Sequence, residues 1–357
     1  MAIAWTYGKL LTVPLVAVRS TSLYASGIRP LRSQCRCLAS TSPTSGKIRS
    51  AVKKSMGLRP LPQDAASLDV FQHNSWDGVE WTVEERRDIQ AVVQRQQAQC
   101  MLPEQSEQLL RSKHQCWDQF YDKHREKFFK DRKWLCHELR PHIDDMKVTC
   151  EGRHVHILEV GCGVGNAVYP LLEYRDDVSF SAFDFSISAI RSLRRDARYD
   201  GGRINSFVYD ATTPFTKNGQ STLTQHVGSE SVHIVLMLFS LSAIDNAHHL
   251  HVLLNLLSVL KPGGLILFRD YAMYDLSQLQ LKDGRCIKEN LYARGDGTLV
   301  NYFTESGVEA MCSKVNGLKV EINQTKNLLI VNRKKKKKMM RSWIQALFRK
   351  NEAAAIL

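Results

Sequence analysis

A glycine-rich loop between an apolar run and a helical pattern is the feature that most constrains the fold of this chain. It lies in the segment His156-Ile-Leu-Glu-Val-Gly-Cys-Gly-Val-Gly165. Glycines at 161, 163 and 165 allow the backbone to approach a ligand where side chains would collide. The segment therefore predicts a strand, a ligand-contacting turn and a helix, in that order.

The chain around this loop alternates short apolar runs with helical patterns. Strands are predicted over residues 155–160, 178–183, 204–209, 231–238, 265–269, 318–331 and 339–348. Alternation of this kind indicates an α/β fold, with a mostly parallel sheet covered by helices on both faces. The last two strands leave no room for a helix between them, so we expect an antiparallel hairpin at one edge.

Acidic residues at the ends of successive strands indicate the ligand. Asp184 ends the second strand and could accept both ribose hydroxyls of an adenosine, and Asp210 ends the third, where it could contact the adenine amino group. A dinucleotide fingerprint would need its third glycine at Asn166. Together with Glu159 before the loop, these acids favour S-adenosylmethionine. The alternative is a doubly wound domain that binds no such ligand.

Five segments resemble one known family, the methyltransferase-like tRNA N3-methylcytidine methyltransferases. They are residues 128–135 (FFKDRKWL), 157–166 (ILEVGCGVGN), 267–271 (LFRDY), 292–298 (YARGDGT) and 341–345 (RSWIQ). Residues 70–81 (VFQHNSWDGVEW) resemble the N-terminal block of the branch that includes the mitochondrial enzyme. The resemblance implies a seven-stranded, Rossmann-like S-adenosylmethionine-dependent methyltransferase domain with an N-terminal helical extension. It also implies action on a cytidine at position 32 of the anticodon loop, in tRNAs such as those for threonine and serine, with an aminoacyl-tRNA synthetase considered as a further partner.

The cofactor site is expected at the carboxyl ends of the strands, where open α/β sheets bind ligands. The predicted cofactor-binding residues are Glu159, Gly161, Cys162, Gly163, Asp184, Phe185, Asp210, Ala211 and Phe239. Phe239 follows the fourth strand, and core packing is its alternative role.

Cytosine N3 carries a free lone pair at neutral pH, so it can attack a methyl sulfonium without a general base. Catalysis then depends on positioning and on negative charge near the ring. Arg269, Asp270 and Tyr271 are the predicted catalytic residues: Asp270 would hold the cytosine amino group, and Tyr271 or Tyr274 would stack on the base. A cap of the following turn is the alternative for Asp270.

Substrate binding is expected from residues scattered along the chain. Those predicted are Lys130, Asp131, Arg132, Ser240, Tyr274, Arg294, Asp296, Lys334, Lys335 and Lys336. The block at 130–132 lies over cofactor and substrate in the resembling family. The lysine run 334–338 sits between the last two strands, so its turn should reach the ligand edge and contact tRNA phosphates; a solvated loop is the alternative.

Charge is distributed unevenly along the 357 residues, whose formal net charge is +13. Residues 1–60 hold ten Lys and Arg and no Asp or Glu, and are rich in Ser and Thr. This composition is typical of a mitochondrial transit peptide, and a basic RNA-binding tail is the alternative. No apolar run approaches the ~18 residues that span a membrane, and the scattered cysteines and histidines suggest no metal site.

Three segments follow: a transit peptide over residues 1–45, a helical substrate-binding extension over 66–150 and a methyltransferase domain over 151–350. The expected function is S-adenosylmethionine-dependent methylation of cytidine N3 in mitochondrial tRNA, in the matrix. Two alternatives stay open: the same chemistry on cytosolic or nuclear RNA, and a non-catalytic cofactor-binding adaptor for tRNA.

Overall fold

The computed structural model describes residues 69–124, 129–149 and 154–352. The expected transit peptide, residues 1–45, lies outside the described residues. None of the helices in those ranges is long and apolar enough to cross a membrane.

Among the described residues, four α-helices precede the first long strand. A three-residue strand, β1 (Ser75–Asp77), is followed by α1 (Val83–Ala98), α2 (Pro103–Arg111), α3 (Lys113–His124) and α4 (Trp134–Thr149). Thr82 and Glu85 form a reciprocal capping box at the start of α1, which satisfies two backbone N–H groups that a helix start would otherwise leave free.

The central part of the chain alternates strands and helices as the sequence predicts. The elements are β2 (Val155–Val160), α5 (Val168–Tyr174), β3 (Val178–Asp184), α6 (Ile187–Arg195), β4 (Ile204–Val208), α7 (Thr224–Val227), β5 (Val232–Leu238), α8 (His249–Val259) and β6 (Leu260–Tyr271). They are followed by α9 (Leu276–Leu279), β7 (Cys286–Lys288), β8 (Leu291–Ala293), β9 (Leu299–Asn301), α10 (Glu305–Cys312), β10 (Leu318–Asn332) and β11 (Lys337–Lys350).

One eight-stranded sheet organises these elements, in the order β1-β10-β11-β6-β5-β2-β3-β4. The pairs β2–β3, β2–β5, β3–β4 and β5–β6 are parallel. The pairs β6–β11, β10–β11 and β1–β10 are antiparallel. The α/β fold class and the antiparallel hairpin are confirmed, with the difference that β1 adds one more strand outside the hairpin.

Two apolar clusters cover the two faces of the sheet. The first joins α8 and α10 to β5, β6 and β11 through residues such as Leu256, Val308 and Phe348. The second joins α4, α5 and α6 to β2 and β3 through residues such as Leu139, Val168 and Ile157. This double cover explains why the central strands are apolar on both faces.

Two local predictions differ from the structure. The strand predicted over 265–269 is longer in the structure: β6 begins at Leu260 and includes Gly263, which has φ +73°, and the pairing with β5 shifts its register here. The residues 286–301 form a small antiparallel sheet, β7-β8-β9, that the short apolar segments did not predict. Strands of three residues are too short to give a recognisable alternation.

Candidate active site

The glycine loop after β2 is held in a conformation that only glycine adopts easily. Gly161 has φ +65° and Gly163 has φ +55°, and side chains are disfavoured in this region. A Cβ at Gly161 would lie 2.8 Å from Cβ of Ser240, and one at Gly163 would lie 2.9 Å from Oη of Tyr121. The loop therefore needs glycine at both positions because of backbone conformation and close packing together.

Asp184, the last residue of β3, is fixed against this loop. Its carboxylate accepts hydrogen bonds from the backbone N–H of Gly163 at 3.0 Å and of Ser186 at 2.9 Å. Only 4% of the residue is exposed, and burial raises the pKa of its carboxyl group to about 6. Each carboxylate oxygen carries a second lone pair, so an ionised Asp184 can still accept hydrogen bonds from a ligand.

A pocket of about 630 Å³, including its open mouth, lies at the carboxyl ends of β2 to β5. It is lined by the strand ends and by α3, through Lys113, Trp117, Tyr121, Val160, Gly161, Phe183, Asp184, Phe185, Tyr209, Asp210, Ala211, Thr212, Phe239, Ser240, Ala243 and Ile244.

Helix α3 forms a wall of this pocket that sequence reasoning missed. Trp117 and Tyr121 reach the pocket from this helix. Asp118, on the same helix, accepts a hydrogen bond from the hydroxyl of Ser186, the N-cap of α6, and so attaches α3 to the segment after β3. The aromatic residues at 117, 120 and 121 were the available signal, since they recur on one face of a helix.

Asp210 lines the pocket next to the start of α3. Its carboxylate accepts hydrogen bonds from the backbone and hydroxyl of Thr212 and lies 3.2 Å from Nε2 of His114. Burial alone would raise its pKa, but the Thr212 hydrogen bonds and the nearby cations outweigh it and lower the pKa. The neighbouring predicted residues Phe185 and Ala211 also line the pocket, and the ring of Phe185 packs edge-on against His114.

Glu159, at the end of β2, and Cys162, in the glycine loop, are both buried. Glu159 is 3% exposed, and its Oε2 has no hydrogen-bond partner. Burial raises the pKa of Glu159 to about 8, against the lowering effect of the charge on Arg132. The Cys162 thiol is also buried, which raises its pKa. Neither residue lines the pocket in this conformation, so a direct contact with cofactor stays a prediction for both.

A strained turn after β5 presents Phe239 and Ser240 to the pocket. Phe239 has φ +56°, a conformation that costs energy for a residue with a large side chain and often marks a functional site. Its N–H donates to the carbonyl of Arg269, which holds the turn beside β6. The Ser240 hydroxyl is buried without a hydrogen-bond partner, so it is available to a ligand.

Aromatic rings and guanidinium groups come together beside the pocket. Tyr271 packs against Phe239 with ring centroids 5.1 Å apart. The guanidinium of Arg132 lies 5.4 Å from the centre of the Phe239 ring, and that of Arg294 lies 5.4 Å from the Tyr271 ring. These are cation–π distances. The structure thus gathers four predicted residues that are far apart in the sequence.

Arg269 and Asp270, for which catalytic roles are predicted, do not line the pocket in this conformation. The guanidinium of Arg269 donates to Glu138 of α4 and Gln345 of β11, and it stacks 4.2 Å from the Trp134 ring. Asp270 is fully buried, and its carboxylate accepts from the N–H groups of Ser242 and Tyr271. The side chains alternate along β6, so neighbouring residues face opposite sides. Asp270 therefore positions the 240–242 turn in this conformation, and a contact with the base stays a prediction.

Some of the other predicted substrate-binding residues make hydrogen bonds within the protein, and others are exposed. Asp131 accepts from Asn166 and Arg198, and Asp296 accepts from the backbone and hydroxyl of Thr298 inside the β8–β9 hairpin. Tyr274 has φ +68°, and its N–H donates to Gln278. Asp131 thus links the segment before α4 to Asn166 and Arg198, and Asp296 stabilises the β8–β9 turn. Direct substrate binding by either carboxylate stays a prediction.

Lysines 334, 335 and 336 are exposed at the turn between β10 and β11. Tyr271, at the carboxyl end of β6, pairs with Trp343 of β11. Strand β11 begins six residues before Trp343, at Lys337, and this part of it runs beyond β6. The hairpin therefore extends about 20 Å past the end of β6, at roughly 3.3 Å per residue. Lys130 is exposed as well, on the segment before α4.

The arrangement fits the cofactor that the sequence predicts. Asp184 has free lone pairs, Ser240 has an unpaired hydroxyl, and the glycine loop leaves a cradle that a Cβ would fill. In the parts of the chain that the structure describes, no group of three or more His, Cys, Asp or Glu residues could hold a metal ion.

Comparison with known proteins identifies the family. A Methyltransferase domain model matches residues 158–266. The Drosophila melanogaster tRNA N(3)-methylcytidine methyltransferase Mettl2 is 40% identical over 292 residues, which cover 79% of this chain and 85% of that protein. The chain belongs to the tRNA N3-cytidine methyltransferase family. The resemblance seen in the five segments is therefore confirmed, as is the assignment of the protein as a methyltransferase that uses S-adenosylmethionine.

One further relative and one solved structure are also similar to this chain. The Saccharomyces cerevisiae tRNA(Thr) (cytosine(32)-N(3))-methyltransferase is 35% identical over 295 residues, which cover 82% of this chain and 45% of that protein. A solved Burkholderia thailandensis 1,6-didemethyltoxoflavin-N1-methyltransferase with bound S-adenosylhomocysteine is 16% identical, with a TM-score of 0.43, and the match covers 70% of this chain and 91% of that one.

Proposed function

We propose that this protein transfers the methyl group of S-adenosylmethionine to N3 of cytidine 32 in the anticodon loop of mitochondrial tRNAs. The observation that carries the proposal is the 40% identity to a tRNA N(3)-methylcytidine methyltransferase over 85% of its length. The relative from yeast, whose name specifies cytosine 32 of a threonine tRNA, supports the position and one class of tRNA. Threonine and serine tRNAs are therefore the first substrates to test.

Four groups would hold the cofactor. The Asp184 carboxylate would accept hydrogen bonds from ribose hydroxyls, and Asp210 would face the adenine amino group from the adjacent strand end. The backbone at Gly161 would allow close approach, and the Ser240 hydroxyl would supply a hydrogen bond. When bound, the cofactor supplies an electrophilic methyl group on a cationic sulfur, and the protein's contribution is to orient it.

No residue of the chain needs to remove a proton in this reaction. The attacking N3 atom of cytosine carries its own lone pair, so the enzyme has to align the base with the methyl group and exclude water. Phe239 and Tyr271 provide aromatic surfaces next to the pocket for this alignment. The target must be unpaired, as a base of an anticodon loop is.

Basic groups around the site are suited to the tRNA backbone. Arg132 and Arg294 lie at the aromatic cluster, and the lysine turn at 334–338 extends beyond the carboxyl edge of the sheet. Guanidinium and ammonium groups bind phosphates by charge-assisted hydrogen bonds. We assign the arginines to nucleotides near the target base and the lysine turn to phosphates farther along the anticodon arm.

The mitochondrial matrix is proposed as the site of action. Its support is the composition of residues 1–60, with ten basic and no acidic residues. A fusion of residues 1–50 to a fluorescent reporter should enter mitochondria in cells. The same fusion with its basic residues changed to Gln should stay outside. A cytosolic or nuclear wild-type fusion would contradict the proposal and favour a basic RNA-binding tail.

The activity is tested with the purified protein, labelled S-adenosylmethionine and a mitochondrial tRNA pool. We expect label in N3-methylcytidine when the tRNA is digested to nucleosides and separated by chromatography and mass spectrometry. Label in a carbon-methylated base would overturn the assignment. Adding seryl- or threonyl-tRNA synthetase to the same reaction tests the proposed protein partner: a higher rate supports it, and an unchanged rate argues against it.

A further inference from the structure

Two thiols that have no part in the methyl-transfer site lie against each other at the junction between α1 and the small sheet. The Sγ atoms of Cys100 and Cys286 are 3.1 Å apart. The two residues also form a backbone bridge, and the N–H of Met101 donates to the carbonyl of Cys286 at 2.6 Å. Backbones paired in this way lie about 4.8 Å apart, which is within the Cα–Cα range of about 4.4–6.8 Å that a disulfide requires.

The environments of the two thiols differ. Cys100 follows the end of α1 and is exposed, so an oxidant in solution can reach it. Cys286 is 1% exposed, and burial together with the neighbouring thiol raises its pKa to about 12. Oxidation proceeds through the thiolate, so the accessible thiol reacts first. Cys286 is placed to attack the sulfur of the oxidised Cys100 because it lies beside it.

We propose that Cys100 and Cys286 are a peroxide-sensitive pair that forms a reversible disulfide. In the first step the Cys100 thiolate attacks hydrogen peroxide; an S–O bond forms, the O–O bond breaks, and the product is a sulfenic acid with loss of water after protonation. In the second step the sulfur of Cys286 attacks the sulfenic sulfur, the S–O bond breaks, and the thiol proton leaves with the hydroxyl group as water. Two thiols and one peroxide thus give one disulfide and two waters.

The disulfide would connect α1 covalently to β7, which precedes the segment that carries Arg294. Gln96, in the last turn of α1, already donates to the carbonyls of Gln278 and Leu281 in the loop around α9. The next strand after Cys286 is β8, which leads into Arg294. The chain segment between the two cysteines contains α3, the glycine loop and β2 to β6, and so includes the residues that line the cofactor pocket. Closing so long a loop should stabilise the folded state because it restricts the unfolded chain.

Peptide mapping of the full chain tests the pair. The reduced protein is treated with stoichiometric hydrogen peroxide, free thiols are blocked, and the protein is digested without reductant. We expect a peptide joining residues 100 and 286 that lacks two hydrogen atoms and disappears with dithiothreitol. We also expect the midpoint of thermal unfolding to rise by about 5 °C on oxidation, the size typical of a disulfide.

The exposed cysteine gives the decisive variant because its replacement should not disturb the core. Cys100→Ser should abolish both the linked peptide and the thermal shift, whereas Cys116→Ser, which changes a thiol of α3, should keep both. Oxidation of Cys100 to sulfinic acid without the linked peptide, a cross-link between other cysteines, or a linked protein with an unchanged unfolding midpoint would overturn the proposal. None of these readouts depends on methyltransferase activity, so failure here is distinguishable from failure of the proposed function.

Discussion

Asp184 accepts a hydrogen bond of 3.0 Å from the backbone N–H of Gly163, which joins the end of β3 to the glycine loop after β2. A second bond, from the N–H of Ser186, fixes its other carboxylate oxygen. The cofactor pocket is thus built on a carboxylate whose orientation is determined before any ligand enters. Preorganised groups of this kind lose little entropy on binding.

Replacing Gly161 with Ala should weaken cofactor binding because the new Cβ would collide with Ser240. This collision adds to the strain of the positive φ at this position. The new Cβ would lie 2.8 Å from Cβ of Ser240. Gly219 is the matched control: its φ of +73° imposes the same kind of strain, but a Cβ there meets nothing within 4 Å. Calorimetry with S-adenosylhomocysteine should show affinity at least about tenfold weaker for Gly161→Ala and unchanged for Gly219→Ala. Equal losses in the two variants would show that strain alone is responsible.

Cofactor affinity should fall as the pH drops through about 6. The pKa of the buried Asp184 is raised to about 6, so the carboxylate that accepts ribose hydrogen bonds becomes protonated below that pH and the ligand-binding form is depleted. Titrations between about pH 5 and pH 8 should show the decline in the wild type. Asp184→Asn should bind weakly at every pH, with a flatter profile; a wild-type profile retained in the variant would contradict this role.

Asp270→Ala should destabilise the protein and loosen the Ser240 turn. The substitution leaves the buried N–H groups of Ser242 and Tyr271 without an acceptor, at about 1–3 kcal/mol for each group. We expect a lower free energy of unfolding by chemical denaturation and weaker cofactor binding through displacement of the turn. Asp131→Ala, which removes a half-buried carboxylate that pairs with Arg198, should cost less than about 1 kcal/mol. If Asp270→Ala keeps full stability and loses only catalysis, the result would instead support a direct chemical role for Asp270.

Replacing Lys334 and Lys335 with Gln should weaken tRNA binding and reduce its salt dependence. Each lost phosphate contact lowers the slope of log affinity against log salt by about 0.7–0.9. The pair Lys314 and Lys319 is the control, since both are exposed and lie near the start of β10, at the other end of that strand. Filter binding over a range of salt should show the reduced slope only for the first pair. The same slope in both would place the tRNA away from the β10–β11 turn.

The sequence predicts the sheet and the acids at the strand ends because both depend on local patterns. Apolar runs bounded by glycine or charge give the strands, and Asp184 and Asp210 follow them directly. It does not predict the wall formed by α3, because the docking of Asp118 on Ser186 joins residues 68 positions apart. The contacts of Arg269 and Asp270 have the same origin: both residues lie in β6, where side chains alternate between the two faces, and only the packing around the strand decides which partners each one meets.

The central claim is attack by the N3 atom of one cytidine, and replacing that single atom tests it most directly. A tRNA carrying 3-deazacytidine at position 32, in which a C–H group replaces N3, should bind the enzyme but accept no methyl group from labelled S-adenosylmethionine. The matched tRNA with cytidine at that position should be methylated at N3. Equal methylation of the two tRNAs would show that the nucleophile is another atom and would contradict the account.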